Sequence, residues 1–256
     1  MYNTGMLIKF FKEILGKKPS RIEKGKHIYA IGDIHGKLAL LQKLCDKIHK
    51  DIESHDDDIK IIFLGDYIDR GEDSKNVINL ILSLIDADLD VVCLMGNHEK
   101  SLSDFLENGE KNFEWLMWGG SETLKSYGVN FEDENGKPYS FNQLSNQLSE
   151  LIPDSHKQFY NNLKLYHEED DYIFVHAGIR PSLTMDKQEE NDLIRIRRDF
   201  IQKNHKIDKT IVFGHTTFEE PFEGKRKIGI DTGAYATGCL TSVVLFEDQR
   251  YFINSL

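Results

Sequence analysis

Cysteine is scarce in this sequence. Cys45, Cys93 and Cys239 stand far apart and form no C-x-x-C pair. That excludes a disulfide framework and fits free thiols in a reducing compartment. A long apolar run is missing too. The stretch from Met6 to Leu15 is short and broken by Lys9, Lys12 and Glu13, and no small-residue cleavage site follows it. It reads as an amphipathic helix, packed on the domain or lying on a membrane surface, and not as a span. Positive charge is in deficit: 32 Lys and Arg face 43 Asp and Glu, for a net charge of -11. Nucleic acid and anionic membrane are therefore disfavoured as partners. A phosphorylated substrate would be repelled at long range as well, so a site for one must create its own local positive charge. Repeats and low-complexity tracts are absent, and nothing specifies an oligomeric state. The expectation is a folded cytoplasmic protein with an extension over residues 1–25 and one domain over residues 26–256.

What is present is a repeated grammar of apolar run, Gly- or Asp-rich stop, and helical pattern. His27 to Ile31 stops at Gly32-Asp33 and precedes a helix from Leu38 to Ile48. Ile59 to Leu64 stops at Gly65-Asp66, ahead of a helix over Val77 to Ile85. Val91 to Met95 stops at Gly96-Asn97, and a helix should run from about His98 to Leu106. Short β-rich runs alternating with helices predict an α/β fold with parallel strands. Residues 108–165 are richer in Asn, Ser, Glu and Gln, with Phe141, Leu144, Leu148, Leu151 and Ile152 at helical spacing, and predict a helical insert over one edge of the site. Strands are expected again at Tyr172–Val175, Thr210–Phe213, Lys227–Ile230, Leu240–Phe246 and Tyr251–Asn254, with a helix from about Glu189 to Lys203 between the first two.

In open α/β sheets ligands sit at the carboxyl ends of strands, so the residue that stops each strand is informative. Here these are Asp33 and His35, then Asp66, then Asn97 and His98, then His176, then His215. All offer oxygen or imidazole donors, a set that suits Mn, Fe or Zn better than a thiolate-held structural zinc. Glycines beside them allow the sharp turns that presenting such groups demands. One Asp or His after a strand is ordinarily a cap or a satisfied core group, and His27, His49, His55, His156, His167 and His205 read as surface or structural. The run from Gly65 to Gly71 (GDYIDRG) is different: five specified positions arise by chance about 10⁻⁴ of the time in a chain of this length.

GDIHG (Gly32 to Gly36), GDYIDRG and GNHE (Gly96 to Glu99) resemble the signature blocks of the calcineurin-like metallophosphoesterases, in particular the phosphoprotein phosphatase branch and its compact bacterial and phage members. VHAG (Val175 to Gly178), GHT (Gly214 to Thr216) and IDTGA (Ile230 to Ala234) extend the likeness. It covers about residues 27–246 and is weaker through 108–165. The resemblance implies a four-layer α/β-β/α sandwich around two divalent metal ions, manganese first among them. Asp33, His35 and Asp66 would hold one ion; Asp66, Asn97, His176 and His215 would hold the other. A bridging carboxylate offsets repulsion between the ions, and the pair activates water for attack on phosphorus.

By the same resemblance His98 would be the general acid, with Asp69 orienting its ring; the plain alternative is that Asp69 caps the following helix. Arg70 would clamp phosphate oxygens through paired hydrogen bonds. A second clamp falls on Arg197, with Arg195 and Arg198 as solvated alternatives. Trp115 to Tyr127 is similar to a W-x-x-N-G-G-x-x-T-L-x-S-Y segment of the compact members, with Trp118 in place of Asn; Trp115 and Trp118 read first as packing residues. Tyr235 borders the expected substrate position. The leading expectation is a Ser/Thr protein phosphatase. A diadenosine tetraphosphatase or other nucleotide phosphoesterase is the alternative, because the motifs describe the reacting phosphate and not the rest of the substrate. A scaffold that has lost its chemistry is the third reading, and the intact ligand set and His98 argue against it.

Overall fold

Strand β1 (Lys26–Ile31) shows how the layers arise. Ile28 and Ala30 face one apolar layer and Tyr29 and Ile31 another, as a period of two requires. In the computed structural model, which describes residues 19–256, β1 lies at the centre of a sheet ordered β10-β9-β1-β2-β3. Here β2 is Asp58–Phe63, β3 Asp90–Cys93, β9 Thr241–Phe246 and β10 Gln249–Asn254. Strands β1, β2 and β3 run parallel, and β9 and β10 close one side antiparallel. The second sheet is ordered β4-β5-β6-β8-β7, from Tyr166–Glu169, Tyr172–Val175, Thr210–Phe213, Lys227–Gly229 and Phe222–Gly224 respectively. Its parallel strands are β5, β6 and β8.

Between the sheets, Ile28, Ala30, Ile62 and Val243 meet Phe174, Val212 and Ile228. Ile22, ahead of β1, is also buried in this layer. The outer face of the first sheet packs on α1 (Leu38–Ile52), α2 (Ser74–Asp86) and α3 (Asn97–Glu107) through Leu44, Val77 and Leu102. The insert adds a π-turn (Leu116–Gly120), α4 (Ser121–Tyr127), α5 (Phe141–Leu151) and α6 (Asp154–Asn161) to that layer. The second sheet packs on α7 (Glu190–Arg195) and α8 (Arg198–Gln202) through Leu193, Ile194 and Phe200. Helix, sheet, sheet, helix is the four-layer arrangement that the motifs imply. Each fully buried Ile, Leu or Val in it contributes about 1.5–3 kcal/mol.

Two features depart from expectation. The helix expected over residues 189–203 is two short ones. The Leu193 carbonyl accepts from the Ala177 N–H (2.8 Å), which ties this end of α7 to the loop after β5. Ile196 and Arg197 then leave helical geometry, Arg197 at φ −130° and ψ −95°. Strands β4 and β7 were absent from the sequence reading. They are short edge strands, YHEE and FEG, with no apolar run to mark them. The amphipathic helix expected between Met6 and Leu15 lies outside the described residues. Among the described residues no helix is long and apolar enough to cross a membrane.

Candidate metal centre

Six parallel strands send their carboxyl ends to one place. Strand β1 leads to Asp33 and His35, β2 to Asp66, β3 to Asn97 and His98, β5 to His176, β6 to His215 and β8 to Asp231, and all eight side chains are buried. Asp66 is the hub. Its Oδ2 lies 3.5 Å from His35 Nε2 and 3.9 Å from His98 Nε2, and its Oδ1 lies 3.4 Å from His176 Nε2. His215 joins Asp66 and His176 in one compact cluster of possible metal donors, and His35 and His98 join Asp66 in another. Asp33 accepts from the His215 N–H through both oxygens, at 3.2 and 3.0 Å. Gly96 and Gly214 make this crowding possible. A Cβ on either would stand 2.2 Å from Asp66 Oδ1 or 2.1 Å from Asp33 Oδ1.

The backbone is bent to the same end. His35, Asp66, Asp69, Arg70 and His215 all have positive φ, between 48° and 74°. Such conformations in non-glycine residues persist where surrounding structure enforces them, and they cluster at functional sites.

The protonation pattern tests whether metal fits. His35 donates its Nδ1 proton to the Ile68 carbonyl and His176 donates its own to the Leu64 carbonyl, each at 2.9 Å. Both Nε2 atoms therefore carry lone pairs. Those lone pairs face the Asp66 oxygens and, for His176, also Asn97 Oδ1 at 3.1 Å. Burial depresses the pKa of His35 to about 3 and, with the neighbouring His176, that of His215 to about 2; burial lowers His176 as well. Meanwhile burial, with Asp231 and Asp66 nearby, raises Asp33 well above the usual carboxylate range. Neutral imidazole lone pairs turned on buried carboxylate oxygens form an arrangement that divalent cations resolve. The residues fit a metal centre.

His98 is set up differently. Its Nδ1 lies 2.6 Å from Asp69 Oδ2, and in the neutral ring Nε2 accepts from Arg70 Nη2 at 3.2 Å. Burial opposes a charge on this ring, but Asp66 and Asp69 outweigh it and its pKa is raised. Asp69 does not cap α2, whose N-cap is Asp73. It is instead held by Trp115 Nε1 and Thr123 Oγ1, each donating at 2.6 Å. Trp115 packs against Phe105 as a core residue and supplies this polar contact besides. Arg70 lies under the half-exposed ring of Tyr235, 4.3 Å from its centroid.

Of the three neighbouring arginines, Arg195 donates to Ser101 Oγ (3.2 Å) and Arg198 to Gln202 Oε1 (3.2 Å). Arg197 is exposed, has no side-chain partner among the described residues, and its charge helps to depress His215. Trp118 is 49% exposed and lines a small cavity of about 100 Å³ with Arg195 and Asp104.

Sequence reasoning missed two residues. Glu99, inside GNHE, accepts from the N–H groups of Asp66 (2.9 Å), Tyr67 (2.8 Å), Ile68 (3.4 Å) and Gly96 (3.0 Å). Asp231, inside IDTGA, accepts from Thr217 Oγ1 and the Gly233 N–H, both at 2.9 Å, at the edge of the cluster. Its place after an apolar run, like that of Asp33 or Asp66, was the available signal.

The family description "Calcineurin-like phosphoesterase" matches residues 26–239. The asymmetrical bis(5'-nucleosyl)-tetraphosphatase PrpE of Geobacillus thermodenitrificans (strain NG80-2) is 32% identical over 238 residues, 85% of this chain and 89% of that protein. Among solved structures, one that carries a provisional diadenosine tetraphosphatase name superposes with a TM-score of 0.60 at 17% identity, covering 92% of this chain and 98% of its own. The cold-active protein-tyrosine phosphatase of a psychrophilic Shewanella gives a TM-score of 0.53 at 18% identity, over 91% and 83%. At those identities the structures speak for the fold. Profile, relatives and geometry agree that this chain belongs to the calcineurin-like phosphoesterase family.

Proposed function

We propose that this protein hydrolyses dinucleoside polyphosphates such as diadenosine tetraphosphate. The observation that carries the reading is the 32% identity to a bis(5'-nucleosyl)-tetraphosphatase along 85% of this chain and 89% of that protein. It favours the nucleotide alternative over the protein phosphatase that led the sequence reading, because the motifs shared by both say nothing about the far side of the substrate.

In this reading Asp33, His35 and Asp66 hold one divalent ion and Asp66, Asn97, His176 and His215 the other, with manganese the first choice for this donor set. When bound, the pair supplies Lewis-acid polarisation of a phosphate and an activated water. The residues of the chain do the rest. Arg70 and Arg197 bind the phosphate oxygens and hold the chain of phosphates in line. Asp69, pinned by Trp115 and Thr123, orients His98 and favours its protonated form. As water oxygen bonds to phosphorus and the bridging P–O bond breaks, His98 gives its Nε2 proton to the departing oxygen. Tyr235, over Arg70, limits where that guanidinium can move.

The test is a side-by-side assay of the Mn²⁺-loaded protein on diadenosine tetraphosphate and on a phosphoserine and phosphothreonine peptide pool, with Asp66→Asn as control. Faster cleavage of the dinucleotide, with nucleotide products resolved by chromatography, is expected. Faster phosphate release from the peptides would return the assignment to a protein phosphatase and leave the metal centre in place.

A further inference from the structure

We propose that His27, His55 and Asp57 form a second site, separate from the Asp66 centre, that binds one divalent transition-metal ion of the zinc class. A ring nitrogen of each histidine and a carboxylate oxygen of Asp57 lie within 4.8 Å of one another. His27 is the second residue of β1, and Asp57 directly precedes β2, so the group sits at the amino ends of these parallel strands. The Asp66 centre lies at their carboxyl ends, roughly 20 Å away at a rise of about 3.3 Å per residue.

Both imidazole donor atoms are buried, and Asp57 stands partly exposed beside them. His27 is only 7% exposed, and its Nδ1 lies 2.8 Å from Asp57 Oδ2 without hydrogen-bond geometry. His55 Nδ1 is likewise buried and has no hydrogen-bond partner. A buried polar atom left unpaired costs about 1–3 kcal/mol, so the orphaned His55 Nδ1 beside the His27–Asp57 contact marks a place for a ligand.

A neighbouring network explains which atom His55 offers. The Tyr29 hydroxyl donates to Asp51 Oδ2 (2.7 Å), so it accepts from His55 Nε2 at 3.1 Å. Tyr251 donates to the same carboxylate oxygen. With its proton fixed on Nε2, His55 has its lone pair on Nδ1. This is the second-layer arrangement that orients metal-bound histidines, a carboxylate acting through a hydroxyl on the far ring nitrogen. Burial and the adjacent His55 ring lower the pKa of His27, so it too presents a neutral ring. The two rings stack with centroids 3.8 Å apart, and Phe246 covers the His27 ring at 4.8 Å. His55 is the less buried of the pair, and a tilt of its ring about the Nε2 contact to Tyr29 would bring Nδ1 toward an ion held by His27 and Asp57. Two imidazoles, one carboxylate and a solvent-facing fourth position suit zinc, which draws its ligands to about 2.0–2.2 Å.

The full chain, equilibrated with excess Zn²⁺ and freed of unbound metal by gel filtration, is expected to retain one zinc per chain more than either His55→Ala or Asp57→Asn. Both variants should keep the phosphoesterase activity of the Mn²⁺-loaded parent. In thermal unfolding, Zn²⁺ should raise the midpoint of the parent by more than that of the variants. Equal zinc content in the parent and in either folded variant would overturn the assignment.

Discussion

On one side of Asp66 stands His98, and on the other His176. Both rings are buried and both approach an Asp66 oxygen through Nε2. They differ in what holds the far nitrogen. Nδ1 of His98 meets the Asp69 carboxylate, a full charge, whereas Nδ1 of His176 meets the Leu64 carbonyl, a dipole. The first partner keeps a proton on the ring, so the pKa of His98 is raised; the second fixes a tautomer without favouring charge, and burial lowers His176. One residue type in one cluster is thus suited to carry a proton at one position and to offer a lone pair at another.

The largest way to break this comparison is to remove what both sides share. Asp66→Asn is expected to lower activity by at least about 10³-fold and to reduce bound metal, read by metal analysis of the purified protein. Wild-type activity with two metals retained would refute its bridging place. Removing only the proton-carrying side is the next step. His98→Asn should keep its metal and lose about 10²–10⁴-fold on alkyl phosphate esters, with a smaller loss on nitrophenyl phosphate or a phosphoanhydride, whose leaving groups need little protonation. A uniform loss across leaving groups would remove the acid role. The mildest change makes the two sides alike. Asp69→Asn replaces the charge behind His98 with a dipole and should cost about 10–100-fold. Asp69 raises the pKa of His98, so its removal lowers that pKa, and the acid is lost at lower pH. The alkaline limb of the kcat profile should therefore move to lower pH, and an unmoved limb would show that Asp69 acts on packing alone.

Much of this arrangement was legible in the sequence for a simple reason. Asp33, Asp66, Asn97, His176 and His215 each follow an apolar run directly or after one glycine, so strand and donor are neighbours in the chain. Apart from Asp231, what escaped depends on contacts between distant residues. Glu99 reaches amides some thirty positions away, and Trp115 bonds to Asp69 across 46 residues, with no local pattern to announce either. The break at Arg197 likewise comes beside a long-range hydrogen bond between Ala177 and Leu193, and the helical periodicity runs through it undisturbed. The division into two sheets was carried by family resemblance. A continuous apolar run shows that a strand is covered on both faces, not what covers it.

Glu99 has a mechanical consequence. The turn after β2 and the turn after β3 are separate loops in the chain, yet one carboxylate grips the amides of Asp66, Tyr67 and Ile68 in the first and of Gly96 in the second. The two loops are thereby tied together through one side chain, which sets Asp66 and Asn97 in register with each other. Rigidity at this centre is supplied by the chain itself, ahead of anything that binds there.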